Sequence, residues 1–146
     1  LNKKLVNVLF YPLQPQERVS EVYSLGDASI VACKKGTAKG ALPSKTWSVL
    51  ATGTPVLLSF DSDSELCRII ETNQVGIFSD AGDAEALVNN IIEIYIDSKK
   101  KEEMGANARF LAEKSFSKDK CTNKYVNLFL RVINNQVTIE NIKDDV

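Results

Sequence analysis

The sequence predicts an α/β fold with a doubly wound parallel sheet, and three observations carry that expectation. Four short apolar runs alternate with segments of helical period, the runs are nearly continuously apolar, and three helix-like segments close the chain. Strands that are apolar on both faces belong between two helix layers, the arrangement a parallel sheet requires.

The first run, Leu5 to Tyr11, is rich in β-formers, is bounded by Pro12 and Pro15, and reads as a buried strand. From Gln16 the period changes, with Val19, Val22, Tyr23 and Gly26 on one helical face. Ala28 to Cys33 is the second run, and a loop rich in Gly, Lys and Ala, Lys34 to Pro43, follows it. Ser44 to Thr52 reads as a helix stopped by Gly53, with Pro55 two residues on. Val56 to Phe60 is the third run, after which Ser62 and Glu65 form a capping-box pattern ahead of Leu66, Ile69 and Ile70. Val75 to Ser79 is the fourth run, and Asp83 caps a helix with Leu87, Ile91, Ile94 and Tyr95 as its buried stripe. Ser98 to Lys114 and Ser117 to Asn134 read as two more helices, the second burying Cys121, Tyr125, Leu128, Phe129 and Val132. Residues 1–134 are thus expected to form one Rossmann-like domain, and 135–146 a polar tail. Leu1 to Lys4 reads as the end of a preceding element, so an upstream portion with a first strand-helix unit is expected.

A chain of 146 residues, 44% hydrophobic and 25% charged, has the balance of one core-driven globular domain. A formal net charge of −1 offers no footprint for nucleic acid. The complete lack of histidine excludes Ser-His-Asp chemistry and the usual zinc hydrolase sites. Cys33, Cys67 and Cys121 have no ligand-like spacing and read as reduced thiols in or near the core of a cytoplasmic protein. No apolar run approaches the ~18 residues needed to span a bilayer.

In a doubly wound sheet ligands sit beyond the carboxyl ends of the strands. Of the loops placed there, Lys34 to Pro43 is the longest and leads straight into a helix start. Glycines let the backbone approach a ligand, and free N–H groups at a helix start suit a phosphate. Lys34, Lys35, Lys39 and Lys45 add positive charge. The competing reading is a mobile, solvated loop, and no Walker or Rossmann glycine fingerprint decides between them. Trp47 reads as a packing residue rather than a base-stacking one, and Lys99-Lys100-Lys101-Glu102-Glu103 as a solvated helical face.

Leu42-Pro43-Ser44-Lys45, followed by Leu50-Ala51-Thr52-Gly53-Thr54-Pro55-Val56-Leu57, resembles the central signature of family 4 glycosyltransferases. Asp83-Ala84-Glu85-Ala86-Leu87, Glu103-Met104-Gly105-Ala106-Asn107-Ala108-Arg109 and Ser115-Phe116-Ser117 resemble the family's closing helices, in order. The resemblance implies the C-terminal, donor-binding half of the two-domain GT-B fold, from a retaining enzyme of cell-surface polysaccharide assembly. It implies a nucleotide-diphosphate sugar as donor, no metal or other cofactor, and a saccharide or lipid-linked acceptor held by a missing N-terminal domain. It also implies a place in the cytoplasm, compatible with peripheral association of the full-length protein at the inner face of the membrane. The fragment alone is expected to be inactive. The donor-binding residues carried over are Gly40, Ala41, Leu42, Pro43, Ser44 and Lys45, with Ser48 at the ribose and Leu13, beside Pro12 and Gln14, near the base; no catalytic residue is assigned. Where the family often carries two glutamates eight residues apart, this chain has Gly40 and Ser48. That departure supports the alternative of a non-catalytic nucleotide-sugar-binding or regulatory module of the same fold.

Overall fold

The computed structural model describes residues 5–38 and 40–134. A three-residue 3-10 turn, Gln16–Arg18, runs into helix α1, Val19–Ser24. Strand β1 (Ser29–Ala32), helix α2 (Ser44–Ala51), strand β2 (Val56–Phe60), helix α3 (Glu65–Thr72) and strand β3 (Gly76–Asp80) follow. Helices α4 (Ala84–Ile96), α5 (Ser98–Ser115) and α6 (Lys118–Ile133) then close the described chain.

The strands form a parallel sheet in the order β1-β2-β3, with Ser29 opposite Val56 and Val56 opposite Gly76. All five residues of β2 are buried, as the centre of a sheet covered on both faces demands. Val56, Leu58 and Phe60 point to one side, where Val49 and Leu50 of α2 and Leu66 and Ile70 of α3 close over them. Leu57 points to the other side and meets Ile94 of α4 and Met104 of α5. Two successive crossovers on one face are what right-handed connections give when strands are laid down in sequence order.

Helix α5 joins the two layers. Met104 belongs to the second cluster, while Ala108, Leu111 and Ala112 belong to the first. It passes the turn after α2, where Gly53 holds φ +72°, the left-handed conformation anticipated for the helix stop. A Cβ on Gly105 would lie 2.6 Å from the Gly53 carbonyl oxygen, so only glycine allows this approach. Trp47 stacks on Phe116 at the end of α5 with centroids 4.3 Å apart, the packing role expected of it.

Several expectations need correction. Leu5 to Tyr11 is not a strand, and its apolar side chains are exposed. An apolar run becomes a strand only where a sheet edge accepts it, and runs on either side of a switch point in a doubly wound sheet are not neighbours. The described sheet therefore has three strands, not four. In α1, Val19 and Val22 stay exposed and only Tyr23 reaches the core cluster. The cap of α3 is Ser64, whose Oγ accepts from the Cys67 N–H at 3.2 Å, not Ser62, so Glu65 is an exposed first-turn acid.

The expected stripe on α4 is buried only at Ile94, with Leu87 half-buried, while Ile91 and Tyr95 are exposed. Helix α6 buries no residue fully: Cys121 and Leu128 are half-buried, and Tyr125, Phe129 and Val132 are exposed. Both helices carry apolar residues on more than one face, and periodicity alone does not say which face meets the sheet. Asp83, in contrast, caps α4 as expected, accepting from the Ala86 N–H at 2.9 Å. All three cysteines are free thiols, with Cys67 buried and the others half-buried. The tail at 135–146 and Lys39 lie outside the described residues.

Candidate functional site

The carboxyl ends of the three strands deliver Cys33 to Pro43, Asp61 to Ser64, and Ala81 to Asp83 to one end of the sheet. The loop after β1 is firmly built. The Thr37 N–H donates to the Lys34 carbonyl at 3.1 Å and the Ala41 N–H to the Ala38 carbonyl at 2.8 Å, making two turns. Gly36 and Gly40 supply the positive φ those turns use, +78° and +75°. Between them Ala38 is fully buried in the core cluster.

The loop is anchored from outside by Asp61, the first residue after β2. Its two carboxylate oxygens accept from the Gly36 N–H at 2.9 Å and the Ala38 N–H at 3.0 Å. The bond from Gly36, then that from Ala38, and the nearby charge of Lys35 hold this carboxyl below the usual range, against a smaller opposing effect of burial. Asp61 was not singled out from the sequence. The signal available was an acid immediately past a buried strand, facing a loop with two spare glycine-bracketed amides. A cleft of about 470 Å³ opens beside it, lined by Lys35, Gly36, Asp61, Ser62, Asp63 and Asp80 among others.

The loop ends at α2, and this helix start differs from the later ones. Ser64, Asp83, Asp97 and Ser117 place a side-chain oxygen on the first turns of α3, α4, α5 and α6. The residue before α2 is Pro43, and no side chain caps it. Thr46 N–H bonds back to the Pro43 carbonyl at 3.0 Å. The amides of Ser44 and Lys45 therefore stand at the positive end of the helix dipole with no capping oxygen, facing the carboxyl side of the sheet. The Thr46 hydroxyl behind them is buried and has no hydrogen-bond partner among the described residues.

The structure brings Gly40, Ala41, Leu42, Pro43, Ser44 and Lys45 together at this corner. Ser48 lies one turn further along α2 and lines a different cleft, about 560 Å³, between α1 and α2 with Val19, Tyr23 and Arg109. Leu13 is fully exposed. A further cleft, about 610 Å³, borders the amino end of β3 at Gln74 and Gly76 and contains none of the expected residues. Among the described residues no group of three or more Cys, Asp or Glu is disposed to hold a metal ion, and no helix is long and apolar enough to cross a membrane.

A parallel three-stranded sheet between helices, with an uncapped helix start at its carboxyl end, defines an α/β domain of the Rossmann-like class. Residues 2–110 match the model of the family described as glycosyl transferases group 1, and the chain belongs to that family. It is also 28% identical over 124 residues to a protein named "Putative colanic acid biosynthesis glycosyl transferase WcaI" from Escherichia coli (strain K12). That match covers 84% of this chain and 30% of the relative, so the chain spans about a third of the relative's length.

Proposed function

We propose that this chain is the donor-binding domain of a retaining glycosyltransferase of GT-B architecture. It takes a nucleotide-diphosphate sugar for transfer to a saccharide or lipid-linked acceptor, without a metal or other cofactor, and the relative's name favours cell-surface polysaccharide as the product. The observation that carries this is the uncapped start of α2 at the carboxyl end of the sheet. Transfer leaves negative charge on the departing diphosphate, and fixed amide dipoles at a helix start stabilise such charge without reorganising. The loop before it is held by Asp61, and Ser44 and Lys45 are exposed. The acceptor falls to an N-terminal domain outside this chain, as the GT-B architecture requires.

Gly40 gives specific support to a second reading, a donor-binding module without catalysis of its own. Its φ of +75° is a conformation that a glutamate adopts only under strain, so an acid is not simply interchangeable there. NMR titration of the chain with UDP and GDP tests the donor site. Shifts concentrated on Ala41 to Lys45 are expected, and shifts centred on Asp83 or beyond would remove the helix start as the phosphate site. Incubation with a nucleotide sugar then separates the two readings. The chain alone is expected to turn over none, and only a catalytic domain gains transfer when the upstream part of its own protein is supplied.

A further inference from the structure

Helix α6 carries four basic residues, Lys118, Lys120, Lys124 and Arg131, against one acid, Asp119, in a chain whose formal net charge is −1. Cys121 and Leu128 are half-buried and mark the side turned to the domain. Tyr125, Val126, Phe129, Leu130 and Ile133 fall together on another side, 65%, 47%, 62%, 51% and 73% exposed. The outward face of a surface helix is ordinarily polar, and a contiguous apolar stripe there marks an interaction surface.

Charge says what that surface meets. Lys120 and Lys124 stand across the helix from the stripe, with Asn123 and Asn127 beside them, and Lys118 lies at the stripe's head. Among the described residues no acid lies within ion-pair distance of these three lysines, whereas Lys99, Lys100 and Lys101 on α5 each have one. Lysines on the polar side of a helix, with Phe, Leu and Ile on the other, are the pattern of a helix lying in an anionic lipid interface. Helix α4 exposes apolar residues too, but its charged residues are Glu85 and Glu93, which such a surface repels.

We propose that α6 docks this chain on an anionic lipid surface. The helix lies in the plane of the interface, Phe129 and Leu130 enter the headgroup boundary to a depth of roughly 5–10 Å, and Lys120 and Lys124 meet the lipid phosphates. The same helix of a second copy fits less well, because it offers these lysines one acid, Asp119. Each lysine near such a surface contributes about fivefold in partition, and salt screens the contribution.

Cosedimentation of the chain with phosphatidylcholine vesicles containing about 30% phosphatidylglycerol tests this, with pure phosphatidylcholine vesicles beside them. Binding is expected to the anionic vesicles alone and is expected to fall as salt is raised. Phe129→Glu, an exposed change, is expected to abolish it with unchanged circular dichroism. Lys120→Gln combined with Lys124→Gln is expected to weaken it about tenfold or more, and decides the matter should the first variant lose its fold. Ile92→Glu on α4 is expected to leave it unaltered. A chain that ignores anionic vesicles, binds neutral ones equally well, or keeps its binding in either α6 variant overturns the proposal. So does binding lost with Ile92→Glu. A dimer that Phe129→Glu dissolves, or a full-length protein that no longer binds, gives the apolar side to another occupant and overturns it as well.

Discussion

The carbonyl oxygen of Gly53 occupies the place where a Cβ of Gly105 would project, 2.6 Å away, so α5 meets the turn after α2 backbone to backbone. The junction is fastened beside it by Arg109, which donates to the Ala51 carbonyl and pairs with Glu113 at 2.6 Å. Gly105→Ala should force the two segments apart. Overpacking of this kind costs typically about 1–3 kcal/mol. Urea unfolding is expected to show that loss, and an unchanged midpoint would mean that α5 does not make this approach in solution.

Asp61→Asn removes the charge that holds the Gly36 and Ala38 amides and leaves only one carbonyl oxygen to accept. Faster hydrogen exchange at these two amides is expected, with the sheet amides unaffected. The wild type carries the same test in its pH dependence. Because the amides favour the ionised carboxylate, its folded pKa lies below the ordinary value near 3.8, and the contribution is complete above that value. It is lost as pH falls through the folded value, so the loop should loosen in acid and not in mild alkali.

Ser48 borders an open cleft rather than the core, so the longer side chain of Ser48→Glu has room. If Ser48 lies at the ribose, the substitution exchanges a neutral hydrogen bond for a charge-assisted one. That difference corresponds to roughly tenfold in affinity for UDP, with a smaller gain for 2′-deoxy-UDP. Calorimetry with both ligands decides the matter, and equal changes would place Ser48 away from the ribose.

Burial pushes the Cys67 thiol up to about 12, and its hydrogen bond to Glu71 at 3.4 Å works in the same direction. The thiolate is the nucleophile, so Cys67 should resist iodoacetamide at pH 8. Mass spectrometry of the native chain is expected to find Cys33 and Cys121 modified and Cys67 spared until denaturant is added. Since the unfolded thiol ionises near 9.0, this residue should also cost stability as pH rises from there toward 12.

Much of this was legible in the sequence because the decisive signals were local. Gly53 followed by Pro55 stopped α2 where the structure does, and the apolar run Val56 to Phe60 is β2 residue for residue. The glycine loop leading to Ser44 could be placed because strand, loop and helix start are consecutive. The misreadings have non-local causes. Leu5 to Tyr11 has strand composition, but pairing depends on which edge lies beside it. Whether Ile94 or Tyr95 faces the sheet depends on a rotation that two adjacent apolar residues leave undetermined. Asp61 was overlooked because its partners, Gly36 and Ala38, lie more than twenty residues earlier, and nothing in the intervening chain advertises the meeting.

That distant anchoring makes the segment from Lys34 to Pro43 a poor candidate for transplantation. Its turns draw their glycines from within, but the brace beneath them lies just past the following strand, which is itself placed by α2 and the sheet. Grafted into another scaffold, the ten residues would bring their composition without their shape. An exchange between related chains should succeed only when loop, helix and the aspartate past the next strand travel as one block.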